Sequence, residues 1–347
     1  MGNGLAVATL DTFRGRVTHC DAATLLRSLP DACVDLIATD PPYNMRKAAW
    51  DIFDSDAALV RWLGVHFAEM RRVLKPNGSL YVFCATALGA QVEAEAARYF
   101  RVLNNIRWAK PPYSTVAEMF DKDTMRAYFP ASETIIFAEQ YGADAPYRSA
   151  CKAIRRSIFG DYLRGEFRRA GVTNRQIAAL FPSATGGLTG CVSNWLLGYN
   201  CPTPDQYQVM RDWLNSRNGH RNYLRREYED LRREYEDLRR PFNATPDAPY
   251  TDVWHFPTVG HYPGKHPTEK PLDMMRHIVR VSSRPGDVVL DPFCGSGTTL
   301  RAAKLEGREY IGGDFDARWV DEARRRLAEP FSGPRQVRAG AAERKGT

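Results

Sequence analysis

Two short motifs hold residues able to do chemistry. Asp40-Pro41-Pro42-Tyr43 lies early in the chain, and Asp291-Pro292-Phe293-Cys294-Gly295-Ser296-Gly297-Thr298-Thr299 lies near its end. The first can hold an amino group on a flat base. An exocyclic amine is a poor nucleophile because its lone pair is delocalised into the ring. Two acceptors aimed at its hydrogens favour a more tetrahedral nitrogen and offset the positive charge that develops on attack. Asp40 supplies one acceptor through its carboxylate, and the Pro41 carbonyl supplies the second. Pro41 and Pro42 each fix φ, and Pro42 also restricts Pro41, so that carbonyl is held in place. Tyr43 offers an aromatic face to a base taken out of a duplex stack. The competing reading is an ordinary proline turn. Position argues against it: the motif follows the apolar run 34–39, at a strand's C-terminal end, where open α/β sheets bind ligands.

The second motif follows another apolar run, Val288–Asp291, and opens a helix near Thr298–Leu305. Strand, glycine turn and helix together let the backbone approach a charged ligand closely. Leu300 stands where a G-x-G-x-x-G pattern needs its third glycine, which disfavours a dinucleotide site. Asp314 ends the next strand at a spacing suited to ribose hydroxyls, or serves as a structural carboxylate. Lys270, in His266-Pro267-Thr268-Glu269-Lys270-Pro271, either meets a ligand carboxylate or is a solvated surface lysine.

The elements that must position these motifs are short. Val17–Cys20, Val34–Ala38, Ser79–Phe83, Ile106–Trp108 and Thr134–Phe137 have strand length and composition before the middle of the chain. Val288–Asp291 and Tyr310–Asp314 follow it. Neither set makes a complete open sheet; together they make seven strands of one doubly wound α/β domain, built from residues 1–140 and 255–330. The segment Ala57–Leu74 is helical by period, with Leu59, Leu63, Phe67, Met70 and Leu74 on one face, and Lys75-Pro76-Asn77-Gly78 is expected as its terminating turn.

Residues 141–254 have another texture, and the chain's charge collects there. The net charge is +7; residues 148–240 hold 17 Lys and Arg against 10 Asp and Glu, and the remaining 31 of each sign cancel. A basic segment of this kind is the footprint of a surface that meets phosphates, or simply a solvated basic face. Short helical pieces at Leu163–Ala170, Arg175–Leu180, Val192–Leu197 and Asp205–Leu214 are separated by Gly, Pro and Thr. Val172–Ala178 followed by Ser193–Leu196 resembles a helix-turn-helix capped by Thr173 or Asn174. That arrangement would carry Arg175, Gln176, Ser193 and Asn194 toward a major groove. A plain helical bundle is the alternative. A sevenfold repeat over 224–240 places Leu224, Tyr228, Leu231, Tyr235 and Leu238 on one helical stripe, with Glu229–Arg233 and Glu236–Arg240 as flanking pairs. That stripe packs on its own domain or forms a dimer seam. The tail 331–347 is basic and of disordered composition. No C-x-x-C pair suggests a metal, no apolar run approaches a membrane span, and a cytoplasmic location fits.

Six blocks then fall in the order of one family: Cys20-Asp21, Asp40–Tyr43, Arg72–Phe83, His266–Pro271, Asp291–Thr299 and Gly312–Asp314. The chain resembles the S-adenosylmethionine-dependent amino-group DNA methyltransferases of the beta arrangement, in which the D-P-P-Y motif precedes the target-recognition region and the cofactor motif comes last. The resemblance covers about residues 1–140 and 255–325. It implies that Asp40 and Pro41 position a target amine and that Tyr43 stacks on the base. It also implies that Asp21, Lys270, Asp291, Phe293, Gly295, Gly297, Thr298 and Asp314 surround S-adenosylmethionine, and that Trp108 lies beside the target base unless it is a core tryptophan. Transfer would be direct, with Cys294 a packing residue. The implied partner is double-stranded DNA; a homodimer and a cognate restriction enzyme stay open. Asp at position 40 favours adenine N6, with cytosine N4 as the alternative. RNA or protein amide methyltransferases place the glycine motif first. A DNA-binding regulator has no use for an intact Asp40–Tyr43.

Overall fold

The computed structural model describes residues 9–48, 50–110, 126, 128, 130–140, 147–217, 222–244 and 251–330. The expected tail 331–347 lies outside these. In chain order the first part comprises β1 (Arg16–His19), α1 (Ala22–Ser28), β2 (Val34–Thr39), α2 (Asp56–Val73), β3 (Leu74–Ala85), α3 (Gly89–Ala96), β4 (Arg101–Ala109) and β5 (Ser132–Glu139). Helices α4 (Tyr147–Arg155), α5 (Asp161–Ala170), α6 (Asn174–Ala178), α7 (Cys191–Leu197), α8 (Pro204–Arg217) and α9 (Tyr228–Leu238) follow, with a π-turn at Arg156–Gly160. The chain then returns through β6 (Val253–Trp254), α10 (Leu272–Ser282), β7 (Val288–Asp291), α11 (Thr298–Leu305), β8 (Glu309–Asp314) and α12 (Ala317–Ala328).

The strands form one eight-stranded sheet in the order β1-β8-β7-β2-β3-β5-β4-β6. Only β5 runs antiparallel to its neighbours. The seven strands expected from sequence are present. The eighth, β6, has two residues, too few for any period to register, and lies at the end of the stretch expected to be helical. Arg107 N donates to Asp252 O at 2.7 Å and seats it on β4.

Alternation along the strands builds two cores. Ile37, Leu80, Val82, Ile136 and Ala138 face α1, α2 and α3. Leu36, Ala38, Tyr81, Phe83, Ile135 and Phe137 face α10 and α11. This follows from the two-residue side-chain period of a strand whose two faces are both covered. The expected apolar face of α2 is fully buried, and Ser55 caps that helix by accepting from Ala58 N at 3.1 Å. Lys75-Pro76-Asn77-Gly78, expected as a turn, instead forms an irregular stretch inside β3: Val34 pairs with Leu74, and Leu36 pairs next with Ser79. Pro76 has no N–H for the ladder, so the chain bulges there and pairing resumes at Ser79.

Helices α5 to α9 bury a cluster of their own, centred on Phe159, Leu163, Trp195, Tyr207 and Leu231. Thr173 is the cap of α6, and Gln176 completes a capping box with it. The repeat over 224–240 is helical only from Tyr228. Leu224 has φ 49; its N–H donates to buried Glu166 Oε2 at 2.6 Å, and its carbonyl accepts from Arg211 Nε at 3.0 Å. This polar clamp overrides the helical preference of the first repeat. Leu224 and Leu231 are buried in the same cluster, with Tyr228 and Tyr235 packed against it, while Leu238 is 49% exposed, so most of the stripe packs on its own domain. Arg233 pairs with Asp230 rather than Glu229, and Arg240 leaves the helix to meet Glu139.

Candidate active site

Both motifs end neighbouring strands, β2 and β7. Thr39, the last residue of β2, donates its hydroxyl to Asp291 Oδ1 at 2.7 Å across 252 residues of sequence. Burial pushes the Asp291 carboxyl up to about 6, against the pull of the Thr299 and Thr39 hydrogen bonds. One hydrogen bond thus joins the base of the proline motif to the base of the glycine turn.

Above this junction lies a cavity of about 500 Å³. Asp21, Asp40, Lys270, Asp291, Phe293, Gly295, Thr298 and Asp314 all line it. Asp21 caps α1, accepting from Thr24 N at 2.9 Å, and its hydrogen bonds to Thr24 hold its carboxyl below the usual range. Asp314 accepts from Gly295 N at 2.9 Å and Asp316 N at 3.0 Å, which fixes its direction at the mouth of β8. Burial pushes its carboxyl up. Gly295 has φ +47, and a Cβ there would stand 3.0 Å from His266 Nε2. Gly297 works differently from expectation. It is absent from the lining residues; a Cβ on it would stand 2.8 Å from that of Ala323, so its role is the close approach of α12. Cys294 is buried, which pushes its thiol well above the usual range and leaves it a packing residue.

Asp40 sits in a buried ion cluster. Lys270 Nζ lies 2.6 Å from Asp40 Oδ2 and 3.3 Å from Glu133 Oε2. Lys110 Nζ lies 2.5 Å from Glu133 Oε1. The Tyr43 hydroxyl donates to Asp40 Oδ1. Burial raises the Asp40 carboxyl above its usual range; Lys270 pulls it down, and Glu133 adds to the rise. Three expectations change here. Lys270 is neither a solvated lysine nor free for a ligand carboxylate, because two protein carboxylates hold it. Tyr43 is 7% exposed, with the Lys270 ammonium 5.3 Å from its ring centroid, so no open aromatic face awaits a base. Trp108 is 2% exposed and donates its indole N–H to Phe256 O at 2.8 Å. It is a core tryptophan, absent from the cavity lining. Pro42 lines the cavity, while Pro41 is buried behind it.

The loop after Tyr43 is held by one side chain. Asp51, 2% exposed, accepts from Tyr43 N and Asn44 N at 2.7 Å and from Met45 N at 3.0 Å. Sequence reasoning missed this carboxylate, as it missed Glu133; neither sits in a recognisable local pattern. It also missed an aromatic niche beside Asp21. Trp62 and His66 lie 4.1 Å apart between ring centroids, and each is 5.5 Å from Phe293. Trp62 and His66 are four residues apart on α2, so the period that found the apolar face contained this signal too. The candidate DNA residues Arg175, Gln176, Ser193 and Asn194 are exposed on α6 and α7, with the Gln176 Oε1 already accepting from Thr173 N at 2.8 Å.

Comparison with known proteins agrees with this geometry. The N6/N4 family model described as DNA methylase matches residues 34–325. A DNA adenine methyltransferase of Escherichia coli (strain K12), YhdJ, is 26% identical over 316 residues, covering 90% of this chain and 82% of that protein. The Type II methyltransferase M1.MboII of Moraxella bovis is 26% identical over 327 residues, covering 89% and 94%. Among solved structures, the PvuII cytosine-N4-specific DNA methyltransferase shares the fold, with a TM-score of 0.51 at 14% identity over 91% of this chain and 87% of that one. The chain belongs to the DNA methylase family of N6 and N4 amino-group methyltransferases.

Proposed function

We propose that this DNA methyltransferase acts on the N6 amine of adenine in duplex DNA, with S-adenosylmethionine as donor. The observation that carries the proposal is the Asp40 carboxylate at the wall of a cavity whose other wall is the glycine turn. The residues present fit that donor. The Trp62, His66 and Phe293 rings suit a nucleoside base, Asp314 suits its ribose hydroxyls, and a Cβ at Gly295 would narrow the passage beside His266. When bound, S-adenosylmethionine supplies an electrophilic methyl group for direct transfer to the amine. Asp40 and the Pro41 carbonyl accept the amine's two hydrogens and offset its developing charge. A base within a stacked duplex cannot reach a cavity wall of this kind, so the target nucleotide leaves the stack. Adenine is favoured by the acid at position 40 and by the name of the E. coli relative; cytosine N4 is the second reading, supported by the fold shared with the PvuII enzyme.

The basic segment between β5 and β6 is proposed to follow the DNA backbone, with α6 and α7 as its reading element. A cytoplasmic site of action belongs to the same proposal; among the described residues no helix is long and apolar enough to cross a membrane. The Type II name of the M. bovis relative brings a cognate restriction enzyme into it as well. Methylation-aware sequencing of DNA from a methylation-free host expressing the chain is expected to show N6-methyladenine in one sequence context. N4-methylcytosine in its place would overturn the adenine assignment, and an unmodified genome would overturn the function. Binding to duplex DNA is expected to weaken roughly 10³-fold between 50 and 200 mM salt if about six phosphates are neutralised. A flat salt profile would remove the segment from the interface.

A further inference from the structure

We propose that Glu133 is a positioning residue that draws the Lys270 ammonium off Asp40 and so frees the Asp40 carboxylate for the target amine. This rests on the amine-methylation reading above. As the structure stands, both Asp40 oxygens are engaged, Oδ2 by Lys270 at 2.6 Å and Oδ1 by the Tyr43 hydroxyl. The lysine's charge cancels the charge that is meant to stabilise the amine during attack. An exchange partner is already in place: Glu133 Oε2 lies 3.3 Å from the same Nζ and 3.4 Å from the Tyr43 hydroxyl. A small rotation of the lysine head group turns the longer contact into the shorter one. Among the described residues, the one further acceptor near this ammonium is the neutral Thr268 carbonyl at 3.4 Å.

Charge balance favours exchange over expulsion. Asp40 and Glu133 against Lys270 and Lys110 sum to zero in a site where the Lys270 side chain is 7% exposed. Leaving a buried ammonium unpaired is expensive, and moving Lys270 from Asp40 to Glu133 avoids that; the Asp40 carboxylate it releases keeps the Tyr43 hydroxyl and is left to meet the amine. Lys110 holds Glu133 Oε1 at 2.5 Å, which leaves Oε2 directed at Lys270. Glu133 does not line the cavity, so it acts through Lys270 and not on substrate. Burial opposes ionisation of Glu133, but Lys270 and Lys110 outweigh it and hold its carboxyl below the usual range, while Asp40 is raised.

The test is single-turnover methyl transfer to a defined duplex by the full chain, with Glu133→Gln, Glu133→Asp, Lys270→Met and the double variant Glu133→Gln/Lys270→Met. Glu133→Gln is expected to slow transfer roughly 10- to 100-fold with DNA affinity unchanged. Adding Lys270→Met to it is expected to cost nothing further or to recover part of the rate, since no ammonium then blocks Asp40. Besides Glu133, the groups facing Asp40 are Lys270, Tyr43 and Asp291. Removing the Glu133 charge lowers the Asp40 carboxyl, so the acid limb of the rate profile is expected to move to lower pH; a purely structural role would not move it. Glu133→Asp, which keeps the charge, is expected to retain most of the rate, and it decides the matter if the glutamine variant does not fold. Losses that multiply in the double variant, a Glu133→Gln rate within twofold of wild type, or an inactive but folded Glu133→Asp would each overturn the exchange. Wild-type protein that methylates no DNA would defeat the methylation reading; active wild type with a silent Glu133→Gln defeats the exchange alone.

Discussion

Replacing Asp40 with alanine is expected to lower the rate of methyl transfer by at least about 10²- to 10³-fold, the cost of removing one preorganised charge-stabilising group at a reacting centre. DNA and donor affinities should change far less, because the helical segment and the glycine turn are untouched. The reasoning is differential: a carboxylate accepting from the amine does little for the neutral ground state and most for the nitrogen that is becoming cationic. The fold should tolerate the change. Lys270 loses its 2.6 Å partner but keeps Glu133 at 3.3 Å, so no cation is stranded. Methyl incorporation into a defined duplex, with thermal melting alongside, checks both parts. Methylation that survives in a folded Asp40→Ala protein would remove Asp40 from the mechanism. Asp40→Asn refines the result: a rate as low as alanine's means that charge, and not mere hydrogen-bond acceptance, is the requirement.

The largest loss of stability is expected far from the cavity, at Arg240→Met. Arg240 follows α9 and carries the helical segment back to the sheet. Its Nε lies 2.7 Å from Glu139 Oε2, and the two side chains are 6% and 0% exposed. Arg101 also reaches Glu139, at 3.3 Å, and the Arg240 guanidinium stands 5.3 Å over the Phe137 ring. Breaking a buried pair leaves a carboxylate without its closest partner and typically costs about 3–5 kcal/mol. With Arg101 remaining, about 3 kcal/mol is expected in urea unfolding. Arg233→Met provides the contrast: its pair with Asp230 is solvent-exposed, and such pairs contribute about 0–1 kcal/mol. Equal effects from the two substitutions would show that the Arg240 pair is not what holds the returning chain.

Local signals account for much of what could be read in advance. The continuous apolar runs of β2, β3 and β5 and the helical period of α2 report burial directly, because strands covered on both faces and one face of the helix must carry apolar residues. The proline and glycine motifs are equally legible, since their chemistry resides in consecutive residues. Trp108 stays open in the sequence for a related reason: a tryptophan on a strand looks the same whether it faces a ligand or a core. Only the accepting Phe256 carbonyl, 148 residues away, separates the two.

What the amino-acid order determined alone is therefore seven of the eight strands, the apolar helix of α2 and most of the short helices of the central segment, the two motifs with their reversed order, and the location of the excess positive charge. The tertiary structure decided how distant charges meet. Glu133 came to Lys270, Arg240 to Glu139 and Thr39 to Asp291 across contacts that no local period encodes. The sevenfold repeat shows the same limit from the other side. Its first unit has every propensity for a helix, yet Leu224 leaves it to satisfy Glu166 and Arg211. A hydrogen bond to a buried charged group is worth about 1.5–3 kcal/mol, more than the few tenths per residue that helix propensity offers. Where those two compete, packing prevails over pattern.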